Sequence, residues 1–292
     1  MKVFRVAGVT GESPEAARLW ELGCRGLQEV ELADGGTELI AYFDEVVELG
    51  LVGTWDDLAD FDYLADYRAG LEPVRAGPLW VAPSHRTVEL ADGEAVVWLD
   101  PGSAFGTGHH ETTRLALEAL GRLDLAGRTV LDVGSGSGLL AIAADVLGAE
   151  AAYGVDVDPA AVAVARENAR RNRSRARFAV GTLHVPGGGA VANPEASDGL
   201  GDAGTFQPAL GLPGRCDVVV ANLYAELHVT LMPAYAELLP AGGVALLTGV
   251  LTRLEGQVVA AAQRAGLAVA DRRTAGEWAL LALSRVDREV MA

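Results

Sequence analysis

Nine residues constrain this chain more than any others: Val130, Leu131, Asp132 and Val133, then Gly134-Ser135-Gly136-Ser137-Gly138. The apolar run from Thr129 to Val133 has the character of a strand buried on both faces, as in a parallel sheet. It breaks into glycines and resumes as a helical pattern from Leu139 to Leu147, closed by Gly148. A strand, a tight turn and a helix start are the arrangement that holds a nucleotide-like ligand at the carboxyl edge of an open α/β sheet. Glycines there supply backbone angles barred to residues with a Cβ, and they let the main chain touch the ligand.

Spacing narrows the ligand. The dinucleotide fingerprint G-x-G-x-x-G/A needs a small residue at position 139, where this chain has Leu139. The chain instead carries G-x-G-x-G at Gly134, Gly136 and Gly138. An acid for a ribose diol is expected about 20 residues further on, at the end of the next strand. Ala151 to Val155 reads as that strand, and Asp156 closes it, 22 positions after Gly134. Asp158-Pro159 reads as an N-cap with proline at the first helical position. No G-K-[ST] follows the turn, which disfavours a phosphate cradle.

Two further segments carry a resemblance. LDVGSGSG, GVDVDP and the asparagine of VVVANLY look like a class I methyltransferase that uses S-adenosylmethionine. The run from Asp100 to Thr113, DPGSAFGTGHHETT, closely resembles the signature of the PrmA family, which methylates the large-subunit ribosomal protein numbered eleven. The resemblance runs from about Trp80 to Ser284 and more loosely over the amino-terminal part. It implies a Rossmann-like, mostly parallel seven-stranded sheet with an antiparallel last strand, preceded by a small α/β, ferredoxin-like domain on a helical linker. It implies cofactor contacts at Phe105, Thr107, Thr113, Gly134, Gly136, Asp156 and Asn222, with Asn222 also catalytic.

A length of 292 residues suits one or two domains with a large core. No apolar run approaches the roughly 20 residues of a membrane span. The start, Met1 to Arg5, lacks the apolar core of a signal peptide. Cys24 and Cys216 have no metal-ligand spacing and suit free thiols in a cytoplasmic protein. The net charge of −17 repels phosphate backbones and attracts a basic partner, although a solubility bias produces the same number.

Taken in order, residues 1–57 read as strand, helix (capped by Ser13-Pro14), then two strands joined at Asp34-Gly35-Gly36, a unit without catalytic residues that the family uses to recognise its substrate. Residues 58–85 read as linker: Thr54 caps a helical stretch, Trp55 to Ala69, whose aromatics pack on a neighbouring domain, and an extended Gly/Pro-rich segment follows. Residues 86–292 form the methyltransferase domain, with Thr112 and Thr113 opening a helix from Arg114 to Leu120. His109, His110 and Glu111 lack a metal-site pattern, and no metal is expected. Residues 186–214, rich in Gly, Pro, Ala, Asn and Asp, read as a mobile insertion.

The expected chemistry follows from the methyl donor. A lysine of pKa about 10.4 is only about one part in a thousand neutral near pH 7, so the site must favour the neutral amine. Asn222, at the end of the fourth strand, can accept from that amine. Tyr224, Glu226 and His228 could orient or deprotonate it, or be ordinary first-turn residues. The reading is methylation of lysine side chains and the N-terminal α-amine of ribosomal protein eleven, by a monomer that touches neither nucleic acid nor membrane. The alternative is a class I methyltransferase for a different protein or a small-molecule amine.

Overall fold

In the computed structural model, residues 2–11, 13–32, 36–57, 72–99, 108, 110–183 and 214–285 are described. The expectations for 58–71, for Phe105 and Thr107, and for the insertion from 186 to 213 fall outside the described residues. The chain divides into two compact units, Met1–Gly70 and Leu71–Ala292.

The first unit contains β1 (Lys2–Ala7), α1 (Pro14–Glu21), β2 (Gly26–Glu31), β3 (Thr37–Phe43) and β4 (Thr54–Asp57). Its sheet is antiparallel throughout, in the order β2-β3-β1-β4. Ser13 Oγ accepts from the Ala16 N–H at 3.2 Å, which starts α1, and Leu19 of that helix packs on Phe4, Leu39 and Phe43. The strand order is that of a ferredoxin-like sheet, but the crossover from Asp44 to Gly53 carries no helix.

Thr54 does not cap a helix. It begins the edge strand β4, and Trp55 packs inside its own unit, with ring centroids 5.1 Å from Phe4 and 5.3 Å from Phe43. The acids that suggest a helical first turn are neutralised across the sheet: Lys2 pairs with Asp57 at 2.6 Å and Arg5 with Asp56 at 3.2 Å.

The second unit starts with a three-stranded sheet, β5 (Val74–Ala76), β6 (Leu79–Ala82) and β7 (Ala95–Trp98), in that order. Gly77, at φ 62°, makes the tight turn between β5 and β6 where an extended linker was expected. After α2 (Glu111–Leu120) come β8 (Thr129–Val133), α3 (Leu139–Val146), β9 (Ala151–Asp156), α4 (Pro159–Arg171) and β10 (Arg177–Val180). Then follow β11 (Val218–Asn222), α5 (Ala225–Leu238), β12 (Val244–Leu251), a short 3₁₀ turn, α6 (Glu255–Arg264), β13 (Leu267–Ala275) and β14 (Trp278–Arg285).

Strands β8 to β14 form one sheet in the order β10-β9-β8-β11-β12-β14-β13. Every pairing is parallel except those of β14 with β12 and β13. Alternate residues of β8 explain its uninterrupted apolar sequence. Val130 is buried in one core cluster with Leu139 and Ile142 of α3, while Leu131 and Val133 belong to a second with Tyr153, Leu231 and Tyr235. Burying each such side chain contributes about 1.5–3 kcal/mol of transfer free energy. Both faces of the centre are therefore spent on packing, and only the strand ends remain for chemistry. Among the described residues no helix is long and apolar enough to cross a membrane.

Candidate active site

A cavity of about 740 Å³ opens at the carboxyl ends of β8, β9, β11 and β12, within the usual size range of small-molecule sites. Gly134, Gly136, Asp156, Thr113 and Asn222 all line it. The structure thus brings together the described residues expected to bind the cofactor, but not His228 or Glu226.

One half of the lining is main chain. Gly134, Gly136 and Gly138 all have positive φ (74°, 49° and 81°), so the turn needs glycine at each. A Cβ on Gly134 would also lie 2.6 Å from Leu223 Cδ2. Asp156 binds this turn from the next strand: its Oδ2 accepts from the Gly136 N–H at 2.8 Å and its Oδ1 from the Asp158 N–H at 3.0 Å. Asp158 caps α4, its side chain accepting from the Ala160 N–H at 2.8 Å.

Beneath the turn lies Asp132, 1% exposed. Its Oδ2 accepts from the Ala141 N–H at 3.2 Å in the first turn of α3, and its Oδ1 has no partner. Burial, with the Asp156 charge adding to it, raises the Asp132 pKa to about 8. An acid in an otherwise apolar strand was visible in the sequence as an anomaly.

The other half is built from side chains. Asn222 Nδ2 donates to Thr112 Oγ1 at 3.1 Å and to Thr113 Oγ1 at 3.4 Å. No described residue donates to Asn222 Oδ1. Helix α2 starts at Glu111 rather than Arg114, because His110 is its N-cap: the Thr112 N–H donates to His110 Nδ1 at 3.3 Å. That nitrogen, already an acceptor, also takes the Thr112 hydroxyl at 2.8 Å, so a neutral His110 carries its proton on Nε2. Its ring stands edge-on to Trp278 at 5.3 Å. Among the described residues no cluster of three His, Cys, Asp or Glu could hold a metal.

His228, a candidate for deprotonating an amine, is fully buried outside the cavity lining. Its Nε2 lies 2.8 Å from the Thr248 carbonyl, its Nδ1 lies 3.4 Å from the Tyr235 hydroxyl, and it hydrogen-bonds the Leu223 backbone. Desolvation pulls its pKa down to about 4, so near neutral pH it is uncharged, Nε2–H donating to Thr248. The Leu223 N–H uses the same carbonyl at 3.0 Å, so His228 supports the turn that carries Asn222. Glu226 is exposed and does not line the cavity, whereas Tyr224, 71% exposed, stands at its rim.

Gly249, at φ 80° in a β-bulge between Leu247 and Val250, completes this half. A Cβ there would lie 2.5 Å from the Leu223 carbonyl and 2.9 Å from Asn222 Oδ1. An isolated glycine inside a strand pattern was its sequence signal.

The sheet order, the single antiparallel strand and a cavity joining a glycine turn to an acid on the neighbouring strand define a class I, S-adenosylmethionine-dependent methyltransferase. The residues present fit that cofactor: a glycine-rich cradle, a carboxylate for a diol, and apolar walls at Val157 and Leu140.

The family model described as "Ribosomal protein L11 methyltransferase (PrmA)" matches residues 30–286. A ribosomal protein L11 methyltransferase of Thermus thermophilus is 42% identical over 287 residues, 98% of this chain and 100% of the relative. That of Deinococcus radiodurans is 42% identical over 279 residues, 92% and 93% of the two chains. Among solved structures, the ribosomal protein L11 methylase of Lactobacillus delbrueckii subsp. bulgaricus superposes with a TM-score of 0.61 at 27% identity, covering 74% of this chain and all of that one. The chain belongs to the PrmA family of ribosomal protein L11 methyltransferases.

Proposed function

We propose that this protein transfers methyl groups from S-adenosylmethionine to lysine side-chain amines, and to the N-terminal α-amine, of ribosomal protein L11. The observation that carries the amine reading is Asn222. Its carboxamide nitrogen is spent on Thr112 and Thr113, and its Oδ1 is left as an acceptor in the cavity that the glycine turn shares.

When bound, S-adenosylmethionine supplies an electrophilic methyl group on a sulfonium. Gly134 and Gly136 would hold it through the main chain, Asp156 through its ribose diol and Thr113 through its carboxylate. Asn222 Oδ1 accepts an N–H of the incoming amine and directs the nitrogen lone pair into the cavity. Desolvation by the apolar walls disfavours the charged ammonium, whose proton leaves to solvent, and the carboxamide then orients the neutral amine. Alignment of this kind can supply on the order of 7–11 kcal/mol of the barrier, so no general base is required.

The net charge of −17 suits a basic ribosomal protein and disfavours nucleic acid. Residues 1–57 serve as the recognition unit, and the protein works as a cytoplasmic monomer away from membranes. The test is incubation with methyl-labelled cofactor and L11, a different basic protein, or free lysine. Label in L11 alone, on its lysines and its N-terminal amine, is the expected result; label in free lysine at a comparable rate, or none in L11, would overturn the reading.

A further inference from the structure

The glycine turn is also supported from outside its flanking strands. The N–H groups of Gly134 and Ser135 donate to the Val155 carbonyl at 2.9 and 3.0 Å, and that of Gly136 donates to Asp156. The Ser137 carbonyl is held from α4, where Asn168 Nδ2 donates to it at 2.9 Å. Asn168 is only 2% exposed, on a helix face that otherwise buries Ala161, Val162, Ala165 and Ala169. Arg171 Nη1 donates to Asn168 Oδ1 at 2.8 Å, which orients the amide so that its nitrogen faces the turn.

Gly138 makes this reach possible. A Cβ there would lie 2.8 Å from Ala165 Cβ, so the missing side chain is what lets α4 approach. In a trans peptide the carbonyl and the following N–H point in opposite directions. Holding the Ser137 carbonyl therefore also aims the Gly138 N–H, which closes the turn on the Ser135 carbonyl at 2.7 Å. With glycine on both sides of Ser137, the backbone has little stiffness of its own.

We propose that Asn168 is a positioning residue of the cofactor cradle, locking the Gly136–Gly138 peptides in the conformation that receives S-adenosylmethionine. The proposal rests on the reading of that turn as the cradle. Asn172, one helical turn on, supplies the control. Its Oδ1 accepts from the Trp98 N–H at 2.7 Å and its Nδ2 donates to the Trp98 carbonyl and, within the helix, to the Asn168 main-chain carbonyl, both at 2.8 Å, tying α4 to β7, which does not line the cavity.

Calorimetric titration with S-adenosylhomocysteine, alongside thermal melting, separates the two asparagines. Asn168→Ala should raise Kd about tenfold, the scale of one buried hydrogen bond. At saturating cofactor its kcat should stay within about twofold of wild type, since the barrier is lowered elsewhere. The isosteric Asn168→Asp, which turns the donor into an acceptor facing the Ser137 carbonyl, should weaken binding too and serves if the alanine variant does not fold. Asn172→Ala should lower Tm while leaving Kd within about twofold, because the bonds it loses lie away from the cavity. Folded Asn168 variants with wild-type Kd would overturn the proposal while leaving the cradle reading intact. A wild-type protein that does not bind S-adenosylhomocysteine would overturn both.

Discussion

The two halves of the cavity are built in opposite ways. The half around Gly134 to Gly138 is mostly main chain, with glycine at every second position, and is held by backbone hydrogen bonds, Asp156 and Asn168. The half around Asn222 is an assembly in which His228 and Gly249 follow in the next helix and strand, while Thr112 and Thr113 come from α2, 110 and 109 residues earlier. A backbone cradle recognises a ligand that stays the same from one turnover to the next. In the function proposed above, a single carboxamide held by its neighbours governs a reacting atom, where small displacements carry large rate penalties.

That contrast is open to attack. Asn222→Ala should lower kcat on the order of 10²-fold, the scale of a misplaced reactant, while cofactor Kd changes little. Single-turnover kinetics beside equilibrium titration would check it, and a Kd loss equal to the kcat loss would break the division. Asp156→Ala should do the reverse, weakening cofactor binding roughly ten- to a hundredfold through loss of a charge-assisted hydrogen bond, with kcat at saturation nearly preserved.

The smallest effect is on stability, because each half contains one buried group held neutral. His228 has a folded pKa of about 4, below its ordinary 6.5, so between those values the unfolded chain binds the extra proton and this group's contribution falls as pH drops. Asp132 has a folded pKa of about 8, above its ordinary 3.8, so in that window the folded chain binds the extra proton and its contribution falls as pH rises. The two slopes oppose each other from about pH 4 to 6.5, and the Asp132 slope acts alone from there to about 8. Denaturant melts from pH 6.5 to 8 should show wild type losing about 2 kcal/mol relative to Asp132→Asn. Parallel curves for the two proteins would show that Asp132 is already ionised.

The same contrast explains what the sequence made legible. The cradle is local: β8, its turn, α3 and the Asp156 spacing lie within 28 consecutive residues, and each leaves a mark in glycine pattern or apolar run. The amine half is non-local, so Asn222 and Thr113 stood out singly but the hydrogen bond between them did not. His228 looked like a first-turn residue because only the fold places it beneath Thr248.

Thr54–Asp57 misled for a related reason. Threonine followed by acids imitates a helix start, whereas the strand exists because β1 pairs with it and Lys2 and Arg5 neutralise its charges. The onset of α2 was placed late because histidine is not among the usual capping residues.

The contact between Gly134 and Leu223 has a further consequence. Leucine occupies the volume that any larger residue at 134 would claim, and it sits directly beside Asn222 in the chain. In the function proposed above, donor and acceptor specificity are therefore not free to drift apart: a mutation that enlarges the glycine displaces Leu223 beside Asn222. An engineer reshaping this enzyme for a bulkier sulfonium would have to recut both walls together.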